Sequence, residues 1–300
     1  MYLGPAPQRG APEPWTELPR ELRIPSTPDR YNFLEGPSFD RAGNLYVVDI
    51  FAGRVYRISP AGQWEMVCEY DGQPNGLKIH RDGRIFLACR KYGIAILDPR
   101  RGTVESVIDG PARGKKFRSL NDLVFHSSGD LYFTDQGRTG LQDPTGCVYC
   151  LKADGSLQTV IDTVPSPNGL VFNPAETELF VAVTRANAIW WVDMVDPERR
   201  GALFVQMHAQ GPDGLAMDAA GNLVIAHAYH GAVWVYDRDA APLYYLKSPR
   251  DKMTTNIAYG GPENKTLHIV ESATCAITRV TLPVPGQPMF SHLPENGASL

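Results

Sequence analysis

The chain has 300 residues, a formal net charge of −4 and 43% hydrophobic side chains. Its charges are well mixed, which leaves no basic face for nucleic acid, and no apolar run approaches the roughly 20 residues of a membrane-spanning helix. Five cysteines without even spacing suit reduced thiols rather than a disulfide framework. The amino terminus shows no secretion signal, so a cytoplasmic location is expected.

Residues 1–30 carry seven prolines, so this segment should wrap the surface or stay loose rather than form helix, with Trp15 as its anchor. Residues 31–300 then form a single domain. Within it an oxygen-bearing side chain opens a short apolar strand six times, at Glu35-Gly36-Pro37, Asn75-Gly76-Leu77, Asn121-Asp122-Leu123, Asn168-Gly169-Leu170, Asp213-Gly214-Leu215 and Asn256-Ile257-Ala258. Successive openings lie 40, 46, 47, 45 and 43 residues apart, the period of four-stranded propeller blades. In the first repeat, residues 37–40, 45–49, 54–58 and 64–68 read as strands separated by turn residues. No window carries a helical stripe. The expected fold is therefore all-β: a six-bladed β-propeller with four-stranded antiparallel blades around a central channel. Residues 288–293 can serve as the outer strand of blade six, and how the ring closes stays open.

In that topology the six openings and the loops leaving the second strands share one mouth of the channel, so function belongs there. Asn-Gly and Asp-Gly also shape turns, but each blade already has a better turn between its first two strands. Two carboxylates and four carboxamides around a tunnel form an oxygen cage for a hard divalent cation. The donors suit Ca, Mg or Mn and are compatible with Zn or Fe. Arg90, Arg138 and Arg185 leave second strands at this mouth, and Arg118 joins them from the loop into blade three. Converging guanidinium groups favour an anionic ligand. His227 and Tyr229 lie in the corresponding loop of the blade that carries Asp213. Residues 136–146 form the longest loop on this face and can fold over it as a lid. Cys147 and Cys150 form a CxxC on a strand, where residues three apart point to opposite faces, so a zinc site is not expected there.

The stretches Leu34-Glu35-Gly36-Pro37, Leu120-Asn121-Asp122-Leu123, Tyr132-Phe133-Thr134-Asp135, Pro167-Asn168-Gly169-Leu170 and Gly211-Pro212-Asp213-Gly214-Leu215 resemble the family of gluconolactonase, regucalcin (senescence marker protein) and luciferin-regenerating enzyme. The resemblance implies one catalytic divalent metal held by Glu35, Asn168 and Asp213, with Asn121 reaching substrate or metal. It implies hydrolysis of a small lactone, with Asp213 taking a proton from the attacking water. Arg118, Arg138, Arg185, His227 and Tyr229 are the further candidates for substrate contact, the arginines suggesting an acidic lactone. Ser119 and Arg118 replace residues that related proteins use for sugar recognition. Two alternatives are a calcium-dependent phosphotriesterase or arylesterase of the diisopropylfluorophosphatase or paraoxonase type, and a non-catalytic ligand-binding propeller. Oligomeric state is open.

Overall fold

Runs of β-branched and aromatic residues, broken by turn signals, resolve into six antiparallel sheets arranged around one axis in the computed structural model, which describes residues 4–294. Blade one consists of Leu34–Phe39, Leu45–Asp49, Arg54–Ile58 and Trp64–Glu69. The innermost strands of the next five blades are Pro74–Ile79, Leu120–Phe125, Pro167–Phe172, Pro212–Met217 and Thr254–Gly260. Each blade stacks face to face on its neighbours, and six apolar clusters fill the joints between them. A sheet covered on both faces wants unbroken apolar strands, and second strands such as Ile85–Cys89 and Leu223–His227 are buried at every residue. Cys147 packs in the joint between blades two and three and Cys150 in the next one, as expected for opposite faces. All five cysteines are free. Among the described residues the only helices are four short 3-10 turns, and no helix is long and apolar enough to cross a membrane.

The ring closes through the amino-terminal segment, not through residues 288–293. Glu13–Glu17 pairs antiparallel with Ala276–Thr281 as the outer strand of blade six, and Gln8–Gly10 adds a parallel fifth strand outside blade five. Leu18 is 1% exposed in the joint between blades six and one, and Trp15 packs on the same cluster. The carboxy-terminal candidate fails because Pro283, Pro285 and Pro288 interrupt the ladder donors a strand needs. Residues 287–293 instead run beneath the channel, where Phe290–His292 forms a 3-10 turn. Phe290 stacks on Phe125 with ring centroids 4.8 Å apart, and Arg41 Nε donates to the Ser291 carbonyl at 2.8 Å.

Candidate active site at the mouth of the channel

Every inner strand starts with a residue paired to the last residue of its neighbour: Leu34 with Asp49, Pro74 with Cys89, Leu120 with Asp135, Pro167 with Val183, Pro212 with His227 and Thr254 with Glu271. Within the next residues the register slips in all six blades, a β-bulge that re-aims side chains at the axis. The residue after each pair is Glu35, Asn75, Asn121, Asn168, Asp213 and, in blade six, Thr255. Asn256 is thus not the sixth member of the ring; it stands one residue deeper, opposite Val270. That deeper position is glycine in four blades because neighbouring backbones approach closely there. A Cβ on Gly169 would lie 2.4 Å from the Asp213 carbonyl oxygen, and one on Gly36, whose φ is +56°, 2.7 Å from that of Asn75. Asp122 of blade three and Asn256 of blade six alone carry side chains at this level, from opposite sides of the channel.

A cavity of about 560 Å³ opens at this mouth, and Glu35, Asn75, Asn121, Asn168 and Asp213 lie in its wall. Glu35 is 4% exposed. Its Oε2 accepts hydrogen bonds from Gly36 N (2.9 Å) and Asn256 Nδ2 (2.8 Å). Burial nevertheless pushes its pKa up to about 7; the Asp122 charge adds to the rise, while hydrogen bonds from Thr255, Gly36 and Asn256 oppose it. Asp213 opens on to the cavity. Burial carries its carboxyl well above the ordinary range, helped by the charges of Glu35 and Asp122 and opposed by hydrogen bonding with Asn168. Asn168 is itself buried and its Oδ1 has no partner among the described residues. An orphaned carbonyl oxygen beside two mutually repelling carboxylates fits a divalent cation, which would satisfy the first and neutralise the second. Among the described residues no three His, Cys, Asp or Glu side chains cluster as metal ligands, so any cation here depends on the amides.

Asn121 donates from Nδ2 to Gln136 Oε1 at 2.9 Å, and Gln136 Nε2 donates to Ser166 Oγ at 3.0 Å. Ser166 is fully buried with φ +72°, a strained backbone of the kind found where structure over-determines a functional site. Neither Gln136 nor Ser166 stood out in the sequence, since an isolated glutamine or serine in a loop carries no pattern. Arg185 and the 58%-exposed Tyr229 line the cavity. The Arg185 guanidinium donates to the Thr139 carbonyl, tying down the loop whose Leu141 and Gln142 reach the cavity.

The other candidates lie elsewhere. Arg118 faces Asp143 at 3.7 Å and is half exposed, Arg138 is exposed, and neither reaches the cavity wall. Arg90 donates to Ser119 Oγ at 3.1 Å and stands over the Phe51 ring. His227 is wholly buried, with Nε2 3.2 Å from the Ala209 carbonyl and Nδ1 accepting from Trp234. It ends a second strand, and in other blades that position fastens the incoming loop. Asp49 accepts from Phe33 N, and Asp135 accepts from the backbone of Arg118 and Ser119.

The sequence family described as SMP-30/Gluconolactonase/LRE-like region matches residues 33–273. A lactonase of Staphylococcus aureus, drp35, is 27% identical over 251 residues, covering 79% of this chain and 74% of its own length. Among solved structures, a gluconolactonase of Xanthomonas campestris superposes with a TM-score of 0.75 at 24% identity, over 94% of this chain and 99% of its own. A calcium-binding regucalcin of Agrobacterium tumefaciens gives a TM-score of 0.76 at 21% identity, over 95% and 98%. At those identities the two structures speak to the fold alone.

Proposed function

The chain belongs to the SMP-30/gluconolactonase/LRE-like family, and from that premise we propose that it is a divalent-metal-dependent hydrolase opening a small lactone to its hydroxy acid. The observation that supports this most is the pairing of Glu35 and Asp213 with the orphaned Asn168 Oδ1 at the floor of a cavity sized for a small molecule. Glu35, Asn168 and Asp213 would hold the cation. When bound it would supply Lewis acidity to the lactone carbonyl.

The remaining work falls to the chain. One N–H of Asn121 Nδ2 is held by Gln136, which leaves the second to donate to the lactone carbonyl and orient the ester. Asp213 accepts the proton of the water whose oxygen attacks the carbonyl carbon, and returns it to the ring oxygen as the ring carbon–oxygen bond breaks. A carboxylate has two oxygens, so holding a cation and accepting a proton need not compete for one atom. Phe33, Ile50 and Met253 give the cavity an apolar side that excludes bulk water from the ester.

The test is a pH-indicator screen of lactones with chelated protein and with Ca²⁺, Mg²⁺, Mn²⁺, Zn²⁺ or Fe²⁺ restored one at a time. Turnover should require a cation, and Asp213→Asn should lower it by at least about 100-fold, the lower range for a positioned acid–base group, with an unchanged circular dichroism spectrum. Equal turnover by chelated and metal-loaded protein would refute metal dependence.

A further inference from the structure

The bulge that aims Glu35 and its equivalents at the mouth also sets what lies further down the channel. Three residues beyond the ring come Ser38, Lys78, Val124, Val171, Ala216 and Ala258, one from each inner strand, and all six line a second chamber of about 360 Å³ at the opposite end. Residues 287–293 close it from below, with Phe290 and Met289 in its wall. The chamber is separate from the mouth cavity, with which it shares no lining residue.

Five of these six positions are small or apolar, and the sixth is a lysine. An ammonium costs several kcal/mol to hold away from water without partners. The nearest anion, the buried Asp122, offsets much of that as an ion-pair partner, but it leaves the N–H donors of the ammonium unfilled. Its Oδ1 stands 3.7 Å from Lys78 Nζ, beyond hydrogen-bond range, and already accepts from Leu123 N at 2.8 Å. No described residue accepts a hydrogen bond from the ammonium. The Lys78 side chain is 26% exposed although it sits on an innermost strand, so it is reached from the chamber. The other charged side chain in the wall, Glu176, is occupied by Ser127 and lies beside His126.

We propose that this lower chamber binds a small amphipathic monoanion, its carboxylate on Lys78 and its hydrocarbon tail against Val124, Val171, Met217 and Phe290. An ammonium with unfilled N–H donors, set in a mostly apolar wall, favours a carboxylate joined to a short apolar body. The volume of about 360 Å³ lies in the range of small-molecule sites.

Octanoate and its uncharged isostere octanamide provide the test, by isothermal titration into the intact protein. Octanoate should bind the wild type at least about tenfold more tightly than octanamide, the margin of a charge-assisted contact. Lys78→Met should erase that margin, Lys78→Arg should keep it, and Ala216→Phe, which fills the chamber, should abolish binding of both. The comparison of the two ligands on wild type needs no variant to fold. Equal affinity of octanoate and octanamide for the wild type would overturn the proposal, as would no detectable binding of octanoate. Octanoate bound undiminished by a folded Ala216→Phe protein would place the ligand elsewhere and overturn it equally.

Discussion

Rim arginines separate by what already holds them. Arg138 projects from the lid loop into solvent, whereas Arg185 reaches the cavity while one of its nitrogens grips Thr139. A guanidinium has five N–H groups, so this contact leaves donors for a ligand. Arg185→Gln should therefore raise KM for an anionic lactone several-fold more than for a neutral one, while Arg138→Gln should change neither. Steady-state kinetics on a matched pair of lactones decides it, and an equal effect of Arg185→Gln on both substrates would remove that arginine from recognition. The oxygen ring was legible because crowding at the axis forces glycine beside it, leaving Asn-Gly and Asp-Gly marks at regular spacing. Thr255 and Asp122 escaped notice for the same reason. Where the second residue is not glycine the mark weakens: spacing still found Asn121, but in blade six Asn256 was taken for Thr255, and only the ladder register separates the two levels.

At the scale of elements, the inner three strands of each blade were readable because two-sided burial leaves dense apolar runs. Outer strands were harder, being half exposed, and blade six has none after its third strand. Its missing edge comes from residues 13–17, where Pro12 and Pro14 hide strand character in a proline-rich segment. Leu18 follows that strand and is buried between blades six and one. Leu18→Ala should cost about 2–5 kcal/mol and lower Tm by roughly 3–8 °C. Lactone turnover at 25 °C should be unaltered, since nothing at the mouth contacts Leu18; differential scanning calorimetry beside an activity assay would check both parts.

The same joint carries a pH dependence. His268 is 4% exposed and packs edge-on against Trp15 and Phe39 at 4.9 and 4.8 Å. Burial pushes its pKa down to about 4, with the Thr266 carbonyl opposing and the Arg279 charge assisting. The unfolded imidazole titrates near 6.5. Between those values the unfolded chain binds a proton that the folded chain refuses. The stabilisation is therefore complete above pH 6.5 and lost as pH falls toward 4, on the order of 3 kcal/mol in all. His227, also held down to about 4 by burial, contributes in the same direction. Replacing His268 by Phe leaves the His227 contribution in place, so the test is a difference. The Tm of His268→Phe should fall less steeply than that of wild type between pH 7 and 5. Parallel curves would show that His268 is not the group responsible.

For the whole molecule, what matters is which blades the mouth side chains join. Glu35, Asn168 and Asp213 belong to blades one, four and five, so a cation among them would brace the channel across its width, whereas the interblade clusters only join neighbours. Without it, Glu35 and Asp213 repel one another in a buried setting, and folding is penalised wherever both are ionised. A ligand held only by the folded state stabilises it by about 2.7 kcal/mol at a hundredfold excess over Kd, equivalent to roughly 4 °C in a domain of this size. Chelation of the wild type at pH 8 should therefore lower Tm by about that amount, and restoring the cation should recover it. Asp213→Asn removes one of the two opposed charges and, on the proposed function, one ligand together. Its chelated form should melt above chelated wild type, and it should gain much less when metal is returned. If chelation leaves the wild-type melting curve unmoved while lactone turnover still disappears, the cation serves the chemistry alone, and the propeller is held shut by its interblade packing and the amino-terminal strand.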